Sequence, residues 1–171
     1  QGGIDVRLYA VEYYCPTCED RGLGRSAVKG YKSAEAFDQA LYQAAEQEWE
    51  QREALREYVP DEEIPKGAIT TASAISGNDV FQHGYELWTD FYNDRQLLYL
   101  ARLLRSISNV EDQQKKEFLL LAFSETLNYS NLMVIYQQST NKSINIFKSN
   151  SFDPPVRPVE NNIWGTEYGA G

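Results

Sequence analysis

The period of the hydrophobic positions changes several times along this chain, and each change predicts an element. From Ile4 to Tyr14, "IDVRLYAVEYY" alternates imperfectly and is rich in Val, Ile, Leu and Tyr, which predicts a strand. The turn-rich "CPTCEDRGLGR" follows, then a shorter strand around "SAVKGYK", so residues 1–32 predict a β-hairpin. Ser33 is placed to cap a long helix from Ala34 to about Tyr58, with Phe37, Leu41, Ala44, Glu48/Trp49, Arg52 and Leu55 as a drifting stripe under an acidic outer face. "VPDEEIPKGAITTASAISGNDV" carries two prolines, two glycines and many small polar residues, and predicts a long loop.

The best-specified helix follows the aromatic lead-in "HGYELWTDFY". Asn93 caps its N-terminus and Gln96, three positions on, completes a capping box; Tyr92 and Leu97 stand where a hydrophobic staple forms. Leu97, Leu100, Ala101, Leu104 and Ile107 then recur on one stripe, which predicts a core-facing side. Arg95 is the misfit. A cation in the first turn opposes the helix dipole, so Arg95 is expected to have a partner elsewhere in the chain. "SNVEDQQKKEFLLLAFSETLNYSNLMVIYQ" predicts another helix, capped at Ser108 or Asn109 and buried on most sides because Phe118 to Phe123 is almost continuously apolar. "KSINIFK" predicts a closing strand, and "SFDPPVRPVENNIWG" an extended segment, since each residue before proline is pushed out of helical space. The fold class expected is therefore α+β and helix-dominated, with a small N-terminal β-hairpin, three main helices and an extended C-terminal strap. The expectation is one domain over 1–171, divided into hairpin (1–32), helical core (33–148) and strap (149–171).

Composition adds constraints. With 171 residues, 42% hydrophobic and 24% charged, the chain has the means to fold around a core. Its net charge of -9 repels nucleic acid, so DNA contact needs a local basic patch or charge supplied by a larger polypeptide. The hairpin residues Arg21, Arg25, Lys29 and Lys32 form the one such cluster, and Arg95 and Gln96 at the helix entrance are the other candidates for phosphate contact. No run of about 18 apolar residues and no signal-peptide pattern is present, which reads as a cytoplasmic chain without a membrane partner. Two cysteines fit a reducing compartment better than a disulfide framework. The chain starts beside a strand and stops at "WGTEYGAG" with no closing element, so a fragment of a larger protein is expected.

Cys15 and Cys18 have the spacing of a zinc knuckle, yet tetrahedral zinc takes four ligands and the sole histidine, His83, is remote in sequence. The pair is half a metal site with partners elsewhere, or ordinary turn residues, or, less favoured because it wants a thioredoxin-like context, a redox pair. "DPPV", Asp153 to Val156, approaches the Asp-Pro-Pro-aromatic step with which amino-group methyltransferases hold a flipped base, but Val156 has no ring to stack. No glycine-rich cofactor loop follows a strand, and no Ser-His-acid spacing occurs, so the chain itself reads as non-catalytic.

The ordered set "LYAVEYYCPTC", "GYKSAEAFD", "IPKGAIT", "HGYELWTDFYNDRQLLYLARLLRSI", "FSETLNYSNLMVIY" and "FDPPVRPVENNIWG" resembles the central region of the large prokaryotic adenine-specific DNA methylases that contain a zinc ribbon. The resemblance runs over essentially the whole chain and is most specific around Phe91, Arg95 and Gln96. It implies a parent that transfers methyl groups from S-adenosylmethionine to adenine in DNA, with the cofactor loop and catalytic step outside this stretch. It also implies that the partners of this chain are the remaining domains of the same polypeptide and, through the parent, DNA. Only one cysteine knuckle is present here, so zinc is expected at most as a half-site. The competing expectation is a non-enzymatic module that binds a protein through its long helix or its proline strap.

Overall fold

The computed structural model describes residues 6–24, 27–67, 69–71, 79–137, 142–148, 152–155 and 157–161. The fold is α+β and helix-dominated. It runs β1 (Ala10–Tyr14), α1 (Pro16–Asp20), β2 (Lys29–Ser33), α2 (Ala36–Gln51), α3 (Asp94–Ser108), α4 (Gln113–Tyr129), β3 (Ile135–Gln137) and β4 (Lys142–Ile144), with short 3-10 turns between. The predicted hairpin is β1 paired antiparallel with β2, Ala10 opposite Ser33 and Tyr14 opposite Lys29. Gly30 is required by a close approach: a Cβ there would lie 2.5 Å from the Tyr13 ring that crosses it. A second antiparallel pair joins β3, which lies where the sequence pattern extends the last helix, to β4 in the expected closing strand "KSINIFK".

Helix α3 is the axis of the molecule, packed by α2, by α4 and by the 3-10 turn Glu53–Tyr58. Asn93 Oδ1 accepts the Gln96 N–H at 2.8 Å and Gln96 Oε1 accepts the Asn93 N–H at 3.0 Å, so the capping box forms as the sequence specified. Leu97, Leu100, Ala101 and Ile107 are buried, together with Leu98 beside the predicted stripe. One core cluster joins Leu97, Leu98 and Ala101 to Ala45, Trp49 and Leu55. A second gathers the aromatic lead-in, Tyr85 and Phe91, with Ile64, Val80, Met133 and Phe152. Tyr92 packs against both, and burial pushes its hydroxyl pKa up to about 12.

Two helices depart from the pattern. On α2 the buried positions are Tyr42, Ala45 and Trp49, so the core face is rotated from the expected stripe and Phe37 and Leu41 are exposed. The helix begins at Ala36, not Ala34, with Asp38 Oδ2 accepting the Glu35 N–H at 3.0 Å. Helix α4 is capped by Asp112, whose Oδ1 accepts the Lys115 N–H, and not by Ser108 or Asn109. It buries none of its residues, against the expectation of burial on most sides. Lys116, Phe123 and Leu127, half-buried, mark its inner side. Phe118 and Leu121, on the opposite side at 100° per residue, are 75% and 69% exposed.

Much of the expected loop is tied down. Ile64 donates its N–H to Glu86 O at 2.8 Å, Glu63 bridges to Leu87, and the buried Thr70 hydroxyl donates to Pro65 O at 2.6 Å. "KSINIFK" splits into β4 and a 3-10 turn, Ile146–Lys148, in place of one strand. The described part of the strap has no regular structure, but Phe152 is buried edge-to-face against Phe91, 5.1 Å between ring centres, and against Trp88. The proline step is thus anchored by the phenylalanine before it; Val156 lies outside the described residues, as do Ile4 at the expected start of the first strand and the sequence from 162 onward.

The contrast between α3 and α4 yields a stability prediction. Leu98→Ala should lower the unfolding free energy by about 2–5 kcal/mol, while Phe118→Ala should change it by less than about 0.5 kcal/mol. Urea unfolding of both variants of the chain is the measurement; comparable losses would mean that Phe118 is buried.

Candidate functional site

The polar chemistry of the molecule converges on the entrance of α3. Glu160, from the strap, places Oε1 2.7 Å from Arg95 Nε and Oε2 3.0 Å from Asn93 Nδ2. Arg95 thereby finds the partner that its place in the first turn demanded, 65 residues downstream. Burial acts to lower the Arg95 pKa, but the hydrogen bond and charge of Glu160 outweigh it and hold the guanidinium firmly protonated. The guanidinium also sits 5.3 Å from the ring centre of Tyr42 on α2. Burial, and next the Glu160 charge, keep the Tyr42 hydroxyl well above the ordinary tyrosine range. Asn161, the next residue, donates from Nδ2 to Tyr129 O at the end of α4 and accepts the Ser143 hydroxyl of β4 at 2.6 Å. Two consecutive strap residues therefore stitch the entrance of α3, the exit of α4 and β4 together.

Both candidates for phosphate contact at the helix entrance are drawn into the fold. Gln96 has no exposed surface and its carbonyl oxygen is used by the cap, so it presents nothing to a phosphate. Its Nε2 has no partner among the described residues, which adds to the cost of burying this turn. Arg95 is committed to Glu160, and an incoming phosphate has to displace a carboxylate that already satisfies two donors.

The hairpin cations are likewise engaged. Lys29 Nζ lies 2.7 Å from Glu12, and Lys32 Nζ lies 3.1 Å from Glu35 and 3.0 Å from Asp38. The Glu35 N–H and then the Lys32 ammonium hold the Asp38 carboxyl below its usual range, while the Asp38 and Glu35 carboxylates raise Lys32. Arg21 is exposed at the end of α1, and Arg25 lies outside the described residues. A surface ion pair is worth little to stability, yet it cancels the local field that a phosphate would follow. Among the described candidates only Arg21 is free of such a carboxylate partner.

Cys15 is the N-cap residue and Cys18 the third residue of α1, with Pro16 between them in the first helical position. Both are free and half-exposed. The neighbouring Cys18 thiol chiefly lowers the pKa of Cys15, with the Arg21 charge contributing least, and the Cys15 thiol raises that of Cys18. Two thiolates are half of a tetrahedral zinc set, and no group of three or more His, Cys, Asp or Glu side chains comes together among the described residues to supply the rest. The donors among the described residues therefore fill half of a zinc ion's coordination. His83, exposed at the end of a 3-10 turn, is not brought to the pair.

An open cleft of about 580 Å³ runs between Val6–Leu8 and the start of α2, lined by Arg7, Gln39, Tyr42 and Glu46 among others. Gln39 Nε2 spans it to Leu8 O at 2.6 Å. Its lining contains no thiol, imidazole, serine or threonine, and so no nucleophile paired with a base. No helix among the described residues is long and apolar enough to cross a membrane.

The residues that sequence reasoning missed are Glu160, Asn161 and Tyr42. Their only signal is the polar "ENN" step after the prolines and the need of Arg95 for an anion; nothing local says which of 25 acidic residues supplies it. Comparison with family models, curated proteins and solved structures gives no match to this chain.

Removing the carboxylate tests the clamp. Glu160→Gln should cost about 1.5–3 kcal/mol, the range for a hydrogen bond to a charged group that leaves its partner unpaired. Glu12→Gln, at an exposed pair, should cost less than about 1 kcal/mol. Equal effects in thermal or urea unfolding would contradict a structural role for Glu160.

Proposed function

We propose that this chain is the non-catalytic central domain of an S-adenosylmethionine-dependent adenine-specific DNA methyltransferase, and that its partner is the remainder of the same polypeptide, docked on the outer face of α4. The observation that carries the docking is the exposure of Phe118 and Leu121 on a helix that buries nothing in this chain. The central run Phe118 to Phe123 places apolar side chains all round the middle of α4, and covering each exposed one contributes about 1.5–3 kcal/mol. The resemblance of the ordered segments to the methylase central region supplies the identity of the cover, since in that family the cofactor loop and catalytic step lie outside this stretch. S-adenosylmethionine and DNA are thus ligands of the whole methylase. The ion pairs that occupy Lys29, Lys32 and Arg95 favour scaffold over phosphate clamp for this part of it.

The test combines Phe118→Asp with Leu121→Asp. In the isolated chain the helical circular dichroism should be retained. In the whole protein the same pair should expose the domain junction to limited proteolysis and lower methyl transfer to adenine at least about tenfold, the equivalent of about 1.4 kcal/mol of lost docking. Undiminished methylation with an unchanged proteolytic pattern would remove α4 from the interface. A parent gene without a methyltransferase catalytic step would leave the protein-interaction module as the reading.

A further inference from the structure

The Cys15–Cys18 turn is held in a geometry that favours a bond between its sulfurs. Cys15 donates its N–H to Val28 O at 2.7 Å, which fixes it to the base of the hairpin. Cys18 donates its N–H to Cys15 O at 3.1 Å and accepts the Leu23 N–H at 3.2 Å, so the backbone at both cysteines is restrained. Gly22, at φ 75°, makes the left-handed turn that lets the chain close after α1. Within this frame the two cysteines stand one helical turn apart at the start of α1, both half-exposed, with no third metal ligand beside them among the described residues. Joining them needs side-chain rotation within one turn and no rearrangement of the hairpin.

We propose that Cys15 and Cys18 form a reversible dithiol–disulfide couple whose co-reactants are low-molecular-weight disulfides and thiols. One cysteine thiolate attacks a sulfur of the small disulfide, the S–S bond breaks and one small thiolate leaves, giving a mixed disulfide. The second cysteine thiolate then attacks the protein sulfur of that bond and expels the other small thiolate. The protein loses two electrons and two protons, and the small disulfide is reduced to two thiols. Capture by the neighbouring cysteine is intramolecular, so the mixed disulfide does not accumulate. The oxidised turn has no thiolate to offer a metal, and any zinc half-site contributed to a larger assembly exists only in the reduced state.

The test uses the full chain, treated with a chelator and equilibrated against glutathione mixtures from reducing to oxidising, then acid-quenched, alkylated and weighed by mass spectrometry. Both thiols should disappear from alkylation in one transition, with the Cys15–Cys18 peptide lighter by two hydrogens and the glutathione adduct below about a tenth of the disulfide. Cys15→Ser and Cys18→Ser should each carry one stable glutathione instead. Thiols that stay alkylatable throughout, two independent adducts in the unsubstituted chain, or disulfides formed only between chains would overturn the proposal.

Discussion

The Glu160 carboxylate at the entrance of α3 is the contact on which the arrangement of the molecule depends. The cap there is buried, with Asn93 and Gln96 both nearly inaccessible, and the N–H groups of a buried helix start have no water to fall back on. The Asn93–Gln96 exchange satisfies two of them, and Glu160 then holds the Asn93 side chain from outside while neutralising Arg95. With that turn fixed, Tyr92 is held where both core clusters meet, and Leu97 and Leu98 enter the cluster formed by Trp49 and Leu55. The strap is therefore structural, although it has no regular secondary structure among its described residues.

The same economy of charge gives the surface its character. Arg95, Lys29 and Lys32, along with Arg102 bound to Glu48 across α2 and α3, spend their charge on carboxylates of the same chain. Large apolar side chains are exposed as well: Phe118 and Leu121 on α4, and Phe37 and Leu41 on α2. With a net charge of -9 and these four cations paired within the chain, little field remains at these sites to draw a polyanion.

What could be read from the sequence was what local chemistry determines. The capping box at Asn93 and the stripe from Leu97 to Ile107 were legible because each depends on residues three or four apart. The hairpin was legible from alternation and turn residues. Burial of α4 was misread because an apolar run from Phe118 to Phe123 states a need for cover without stating whether the chain contains it. The rotated face of α2 was misread because Phe37 and Leu41 score as core by type, whereas Tyr42, Ala45 and Trp49 are what α3 selects. Glu160 was out of reach because pairing over 65 residues is decided by the fold. The entrance of α3, proposed for a phosphate, turned out to hold an anion of its own.

Cover of the outer face of α4 by the rest of a larger polypeptide is the proposal on which the functional reading stands. Hydrogen exchange of the α4 amides from Phe118 to Phe123, compared between the isolated chain and the whole protein, tests it most directly, with the α3 amides from Leu97 to Ala101 as the internal reference. Exchange in α4 is expected to slow by about tenfold or more in the whole protein while α3 changes little, because only α4 gains cover. Equal exchange of α4 in the two states would contradict it.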